Sequence, residues 1–241
     1  LMITRLLDYV YPALCELCNS GLQDGKTLCS PCLDKLPRIH QPFCQKCGEP
    51  FDGNLDEKFD CPNCQGITHD FKFAIAPLKG EGTAFHLVHA LKYQRRFYLA
   101  RDLATILCES WQQDPRLQDI PKEEIIVIPV PLHWRRKQWR HGNQAHELAR
   151  EFSAQTGLAL QQSLCRIRAT STQTKLNRKQ RLTNLRGAFQ IRKSALAGLQ
   201  GSTIILVDDV FTTGATAHAC TTVLLEDGGV NQVIILTLVR G

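Results

Sequence analysis

The sequence predicts an α/β fold, a parallel sheet flanked by helices, with a small metal-stabilised unit in front of it. Residues 125–128 and 204–207 are aliphatic runs, and such runs are typical of strands buried on both faces of a parallel sheet. After the later run, apolar spacing predicts a helix over Ala215–Glu226 that ends at a glycine pair. Eight of the eleven cysteines lie in the first 64 residues, which sets that part of the chain apart.

A chain of 241 residues is long enough for one full α/β domain and a smaller unit. No stretch approaches the ~20 apolar residues that a transmembrane helix needs, so we expect no membrane span. Charged residues interrupt the first eight positions, and we therefore expect no secretory signal.

The early cysteines form four CxxC pairs, a pattern that predicts two structural zinc sites. The first two pairs are ten residues apart and the last two are thirteen apart, a repeat that favours zinc ribbons over a disulfide scaffold. We expect sequential pairing, and interleaving the first pair with the third is the alternative. The module either grips a partner or serves as a structural clip. The predicted ligands are Cys15, Cys18, Cys29, Cys32, Cys44, Cys47, Cys61 and Cys64.

Zinc binding also changes the charge of the chain. The formal net charge is +6 with every cysteine neutral. Eight thiolates contribute −8 and two Zn²⁺ contribute +4, so the net charge with zinc bound is about +2. Net charge alone is therefore no argument for nucleic-acid binding.

Two carboxylates and a threonine-rich loop follow the later aliphatic run. Asp208 and Asp209 come where that strand is expected to end. A glycine lets the backbone approach a phosphate, hydroxyls donate to it, and a helix N-terminus attracts anions. Paired carboxylates suit the hydroxyls of a ribose. The alternative, a solvated acidic pair that caps a helix, leaves the loop unexplained. The loop residues are Thr212, Thr213, Gly214, Ala215 and Thr216.

Across residues 204–216 the chain resembles the type I phosphoribosyltransferases. The resemblance implies their fold and binding of phosphoribosyl pyrophosphate (PRPP), with Mg²⁺ held mainly by ligand oxygens and water. It implies that Asp208 and Asp209, the expected catalytic pair, hold the ribose diol, and that residues 212–216 hold the 5′-phosphate.

Other elements are predicted from local patterns. They are a strand over residues 71–77 and helices over residues 83–93, 99–112 and 141–155. His86 and His89 lie on the first of these helices without enough neighbouring ligands for a metal, so we expect solvated or core histidines. The resemblance implies that Lys92 reaches the ligand.

A basic loop follows the earlier aliphatic run. Prolines at 129 and 131 turn the chain outward, and residues 133–140 then carry four basic residues and no acid. Such a loop suits pyrophosphate, although a solvated basic loop is the alternative. The residues assigned to pyrophosphate are Arg135, Arg136 and Lys137.

No acidic residue lies between Glu151 and Asp208, whereas nine basic residues do. This charge attracts phosphates. Residues 170–181 lack apolar periodicity and predict a flexible arm. In type I phosphoribosyltransferases a mobile loop at this place closes over the ligand and excludes water.

Over nearly its whole length the chain resembles the ComF-like competence proteins, which join a zinc module to a phosphoribosyltransferase domain. The matching segments are residues 129–132 with 140–144, residues 166–189 and residues 204–216. One departure is His141, where the family usually has glycine. The resemblance implies a zinc-binding double ribbon over residues 1–70, a phosphoribosyltransferase-like domain over residues 71–241, a cytoplasmic location and a role in the uptake of transforming DNA.

Two functions follow as hypotheses. One is a PRPP-binding phosphoribosyltransferase, for which no motif identifies the acceptor. The alternative is a non-catalytic adaptor that senses PRPP or binds single-stranded DNA, with Trp134 and Trp139 as stacking platforms. A competence helicase or recombination mediator is a third kind of partner, and the sequence does not indicate the oligomeric state.

Overall fold

The computed structural model describes residues 13–22, 25–51, 53, 61–134, 138, 142–169 and 185–241. Three predicted features lie outside these residues: the pyrophosphate-binding side chains Arg135, Arg136 and Lys137, the stacking residue Trp139, and the arm over residues 170–181.

Six of the strands in the described residues form one parallel sheet, which confirms the predicted class. The strands are β1 Ala74–Ile75, β2 Leu78–Lys79, β3 Ile125–Pro129, β4 Ala159–Leu160, β5 Leu164–Arg166, β6 Phe189–Ile191, β7 Thr203–Phe211 and β8 Gln232–Arg240. The sheet order is β1-β8-β7-β3-β4, and β2 also pairs with β8. Strands β5 and β6 form a separate antiparallel pair. Strand β7 is therefore central.

The helices agree closely with the apolar spacing. In the described residues they are α1 Ser30–Asp34, α2 Gly82–Tyr93, α3 Ala100–Gln113, α4 Gln144–Thr156 and α5 Ala215–Glu226. The bounds of α5 are those predicted, whereas α4 begins three residues later than predicted. Gly157 follows α4 at a φ of 76°, a left-handed conformation that suits glycine. This residue ends the helix.

Strand β7 is longer than predicted, and the expectation that it ends before the two aspartates is wrong. Its neighbour β8 continues to Arg240, and the ladder pairs Asp208 with Thr237 and Phe211 with Arg240. Because β8 provides a pairing partner beyond residue 207, the chain stays extended through both carboxylates. Successive side chains of a strand point to opposite faces, so Asp208 and Asp209 lie on different faces of the sheet.

The strand predicted over residues 71–77 is also wrong in its extent, because it is replaced by the two short strands β1 and β2. Pro77 lies between them and has no N–H for a ladder. Its carbonyl accepts a hydrogen bond from the N–H of Ile39 (2.8 Å), and the N–H of Ala74 donates to the carbonyl of Lys46 (2.9 Å). The cysteine-rich part of the chain therefore covers this edge of the sheet.

Two buried clusters fill the two faces of the sheet, and the cysteine-rich part contributes to both. Leu28 and Leu36 belong to the cluster that contains most of the buried apolar residues of α2, α3 and α4. Three of the later cysteines belong to the cluster that contains residues of β7 and α5. On the first side, Asp102 of α3 accepts hydrogen bonds from the N–H and the hydroxyl of Thr27, both at 2.7 Å. None of the helices in the described part of the chain has the length and hydrophobicity that a membrane crossing requires.

Candidate functional site

The loop between β7 and α5 has the backbone of an anion site. Gly214 is the N-cap of α5 with a φ of 74°. A Cβ at this position would lie 2.7 Å from Cζ of Phe211 and 3.0 Å from Cε1 of His69, so both conformation and space require glycine. The first N–H groups of a helix have no intrahelical acceptor and carry its positive end. The first turn of α5 therefore presents donors beside Thr212 and Thr213.

The two carboxylates occupy the same end of β7 but have different partners. Oδ1 of Asp209 lies 2.9 Å from Nζ of Lys92 on α2, and their side chains are only 10% and 20% exposed. Oδ1 of Asp208 accepts a hydrogen bond from the N–H of Asp209 (2.9 Å). The structure therefore brings Lys92 to this end of the sheet.

Burial raises the pKa of Asp208 to about 7, and the charge of Asp209 adds to the rise. Lys92 and Arg166 of β5 oppose it. A carboxyl group with this pKa changes its protonation near neutrality, whereas an ordinary aspartate is ionised there. Perturbed carboxyl groups of this kind cluster at functional sites.

The cleft lies outside the carboxyl ends of the parallel strands, where open α/β sheets bind ligands. It is lined by Asp208, by residues 212–216 and, from the neighbouring strand end, by Val130. The N–H of Val130 donates to the carbonyl of Val207 at 2.9 Å, so the proline-rich turn starts directly beside the aspartates. The basic loop that follows this turn contains Trp134, which is 57% exposed.

One residue near the loop was not predicted from the sequence. Arg240, at the end of β8, is 4% exposed, and its Nη1 donates to the carbonyls of Phe211 (3.1 Å) and Thr212 (2.9 Å). The only hint in the sequence is a single arginine at the end of the aliphatic run over residues 233–239.

The predicted metal ligands gather into two sequential tetrads. We call Cys15, Cys18, Cys29 and Cys32 the first tetrad and Cys44, Cys47, Cys61 and Cys64 the second tetrad; the sulfur atoms of each lie within 4.8 Å of one another. Sulfur pairs lie at 3.6 Å (Cys18 and Cys29), 3.8 Å (Cys44 and Cys64) and 3.6 Å (Cys47 and Cys61). A tetrahedral ion with Zn–S bonds of about 2.3 Å requires sulfurs about 3.8 Å apart. Both tetrads therefore fit zinc, and the interleaved alternative does not occur.

The thiol groups compete for charge within each tetrad. A hydrogen bond from the side chain of Cys47 lowers the pKa of Cys44 to about 4, and the same contact raises the pKa of Cys47 well above its usual range. In the first tetrad, hydrogen bonding with Ser20 lowers the pKa of Cys18 to about 6. Four thiolates so close together need a cation to coexist, and metal binding would supply it.

The two histidines of α2 lie outside these tetrads. The His86 side chain is 51% exposed, with Nε2 at 3.6 Å from Oε1 of Glu16. The ring of His89 packs on Tyr93, with centroids 4.8 Å apart. Both residues are exposed, in agreement with the expected solvated histidines.

The double zinc ribbon domain family matches residues 6–65, and the phosphoribosyl transferase domain family matches residues 97–241. The DNA utilization protein YhgH of Salmonella typhi is 32% identical over 220 residues, 90% of this chain and 92% of that protein. Competence protein F of Haemophilus influenzae is 32% identical, with 94% and 96% covered. Competence protein ComFC of Bacillus subtilis is 24% identical, with 96% of each chain covered. The chain therefore belongs to the ComF-like competence proteins, in which a double zinc ribbon precedes a type I phosphoribosyltransferase fold.

Proposed function

We propose that the chain binds PRPP at the end of β7 and takes part in the handling of DNA during uptake. The observation that carries the proposal is the left-handed turn at Gly214, which starts α5 directly beside two carboxylates. An anion site next to hydroxyl acceptors matches a sugar that carries a terminal phosphate. The names of the relatives, DNA utilization and competence proteins, support the biological part.

Each group has a role in this proposal. The loop over residues 212–216 holds the 5′-phosphate, and Asp208 and Asp209 accept hydrogen bonds from the ribose hydroxyls. Lys92 places a cation beside the ligand. The predicted pyrophosphate residues Arg135, Arg136 and Lys137 follow the strand next to β7 in the chain.

Magnesium fits this end of the sheet, because carboxylate oxygens are hard ligands of the kind that Mg²⁺ prefers. The ion would be held mainly by ligand oxygens and water, with Asp208 and Asp209 nearby, and would neutralise the pyrophosphate. The two tetrads hold structural zinc. Because zinc sites need reduced thiols, the proposal includes a cytoplasmic location.

Phosphoribosyl transfer is the chemistry that we propose for this site. A nucleophilic amine or base forms a bond to the anomeric carbon of PRPP, and the bond from that carbon to pyrophosphate breaks with its electron pair on the leaving oxygen. Isotope exchange between PRPP and labelled pyrophosphate, with candidate acceptors, measures this turnover. Absence of exchange with every acceptor, while binding persists, would leave a PRPP sensor.

Binding itself is tested by calorimetry of the full chain with PRPP and Mg²⁺. Replacement of both Asp208 and Asp209 by alanine should weaken binding at least tenfold, because the ribose loses its acceptors. Asp227→Ala is the matched control, since Asp227 is an exposed acid just after α5. Equal affinities in the wild type and the double variant would refute the proposed site.

A second candidate function, binding of single-stranded DNA, is favoured by the outer face of α2. Phe85 and Tyr93 are 49% and 50% exposed. His89 lies between them at a spacing of four residues from each, so the three side chains lie along one face of the helix. Residues 82–101 contain no acid and four lysines and arginines. Lys92 and Arg96 pair with Asp209 and Glu16, whereas Arg95 and Arg101 are exposed. Exposed aromatic rings among cations are the usual platform for unstacked bases.

Salt titration tests this second function. Each phosphate contact should contribute about −0.7 to the slope of log affinity against log salt. Phe85→Ala combined with Tyr93→Ala should weaken binding of an oligothymidine about tenfold or more. Leu196→Ala, at another exposed apolar residue, should leave the affinity unchanged. A flat salt dependence would exclude DNA as a ligand.

A further inference from the structure

One buried arginine, Arg240, donates hydrogen bonds to the main chain that leads into the threonine loop. Nη1 of Arg240 donates to the carbonyls of Phe211 and Thr212, and to that of Gly241 at 2.5 Å. In a trans peptide the carbonyl and the following N–H point in opposite directions. The contacts with Arg240 therefore turn the N–H groups of Thr212 and Thr213 to the opposite side, away from the arginine.

The same arginine forms an ion pair with the second ribbon, the zinc ribbon that contains the second tetrad. Nη2 of Arg240 lies 2.5 Å from Oε2 of Glu49, and these side chains are 2% and 28% exposed. Glu49 stands two residues after Cys47, and its carbonyl accepts a hydrogen bond from the N–H of Cys44 at 2.8 Å. One residue thus belongs to the turn of the second tetrad and also contacts the arginine that holds the loop. We call this connection the Glu49–Arg240 strut.

A second set of contacts joins the two parts at the same place. The segment that follows Cys64 packs Phe71 edge-on against Phe211, with ring centroids 5.8 Å apart and planes at 89°. His69 stacks on Phe71 with centroids 4.8 Å apart and lies against Gly214. The guanidinium of Arg240 lies 5.0 Å from the centre of the Phe211 ring. Phe211 is therefore held between the second ribbon and the arginine.

We propose that the second ribbon positions the phosphate-binding loop through the Glu49–Arg240 strut, so that Glu49 and Arg240 are positioning residues for the sugar-phosphate site. The ligand in this inference rests on the proposed function, whereas the ordering of the loop does not. Donors that are fixed before the ligand arrives bind it without a cost of ordering. A loop released from Arg240 must be ordered at the moment of binding.

The charge of Glu49 makes the inference testable by sign. Glu49→Gln removes a negative charge near the phosphate site, and by charge alone it should strengthen anion binding. Loss of the strut should instead weaken binding, because Arg240 loses its partner and its contacts with the loop carbonyls loosen. The two effects have opposite directions.

The experiment compares full-length variants with two ligands, ribose 5-phosphate and PRPP with Mg²⁺, by calorimetry. Amide hydrogen exchange of residues 211–216 is measured in parallel without ligand. We expect Glu49→Gln and Arg240→Gln to weaken the binding of both ligands by a similar factor of about five or more. We also expect both to speed exchange in the loop about tenfold. The double variant should be little worse than either single one.

Glu109→Gln is the matched control. It removes the ion pair with Arg38 (2.9 Å), which also joins the cysteine-rich part to the sheet domain, but it does not touch the loop. Unchanged or tighter binding in Glu49→Gln, with unchanged loop exchange, would overturn the inference. If wild type binds neither ligand, the proposed function fails, and the exchange rates of the loop still decide the strut.

Discussion

Nζ of Lys92 lies 2.9 Å from Oδ1 of Asp209, and this ion pair joins α2 to the central strand β7 at the candidate site. A lysine on an amphipathic helix such as α2 usually points to solvent, because burial favours the apolar residues of the helix. Instead the cation lies next to two carboxylates whose mutual repulsion it offsets.

Lys92→Met should weaken PRPP binding and should raise the pKa of Asp208 above about 7, since Lys92 opposes that rise. It should also lower the free energy of unfolding by about 3 kcal/mol, because Asp209 is left buried without its partner. Lys92→Arg should restore most of the loss. Calorimetry at several pH values measures the affinity and the pKa, and denaturant unfolding measures the stability, with Lys122→Met, at an exposed lysine, as the control. A binding affinity that is the same in Lys92→Met would contradict this role.

Affinity for PRPP should rise with pH through about 7. The folded-state pKa of Asp208 is raised above its ordinary value, so the folded chain holds this proton more tightly than the unfolded chain. The contribution of Asp208 to the free energy of unfolding is therefore largest at low pH and falls as pH rises from about 4 to about 7. Binding moves the other way, because the ionised carboxylate is the better acceptor for ribose hydroxyls.

Asp208→Asn is the control for this pH dependence. It removes the titration of residue 208 while PRPP keeps its own phosphate titration. The pH profile of affinity should therefore flatten in the variant by the part that Asp208 contributes. Identical profiles for the variant and the wild type would show that another group titrates.

Gly214→Ala should abolish PRPP binding and destabilise the fold by about 1–2 kcal/mol or more, since a left-handed conformation strains any residue with a Cβ. The added atom would also press on Phe211 and His69. Gly229→Ala carries the same type of strain at a φ of 61°, with its closest neighbour at 3.7 Å, and should keep normal binding. Calorimetry with PRPP compares the two variants. Equal losses of binding in both would show that backbone strain alone explains the effect of Gly214→Ala.

Removal of one zinc ligand should affect the whole chain. Cys44→Ser should lower the bound zinc from two ions to one per chain and lower the melting temperature, because the tetrad lies in the core of the α5 face. Cys165→Ser, at a half-buried cysteine outside the tetrads, should retain both ions. Metal analysis and thermal unfolding provide the readouts. Two zinc ions in Cys44→Ser would disprove the ligand assignment.

Local patterns predicted those parts of the structure that depend on near neighbours in the chain. The helix α5, the glycine turn before it and the two CxxC tetrads follow from spacing over a few residues. The extent of β7 did not follow, because it depends on how far β8 continues. The same limit applies to the Glu49–Arg240 strut, whose two residues are far apart in sequence and share no pattern.

Leu28 and Leu36 are buried in the same cluster as the apolar residues of α2 and α3. A chain shortened to begin after the cysteines would leave the matching surface of these helices open to water, where it would promote aggregation. Heating the intact protein should give a single cooperative transition. Any change in the cell that strips the metal would thus threaten the abundance of the entire polypeptide.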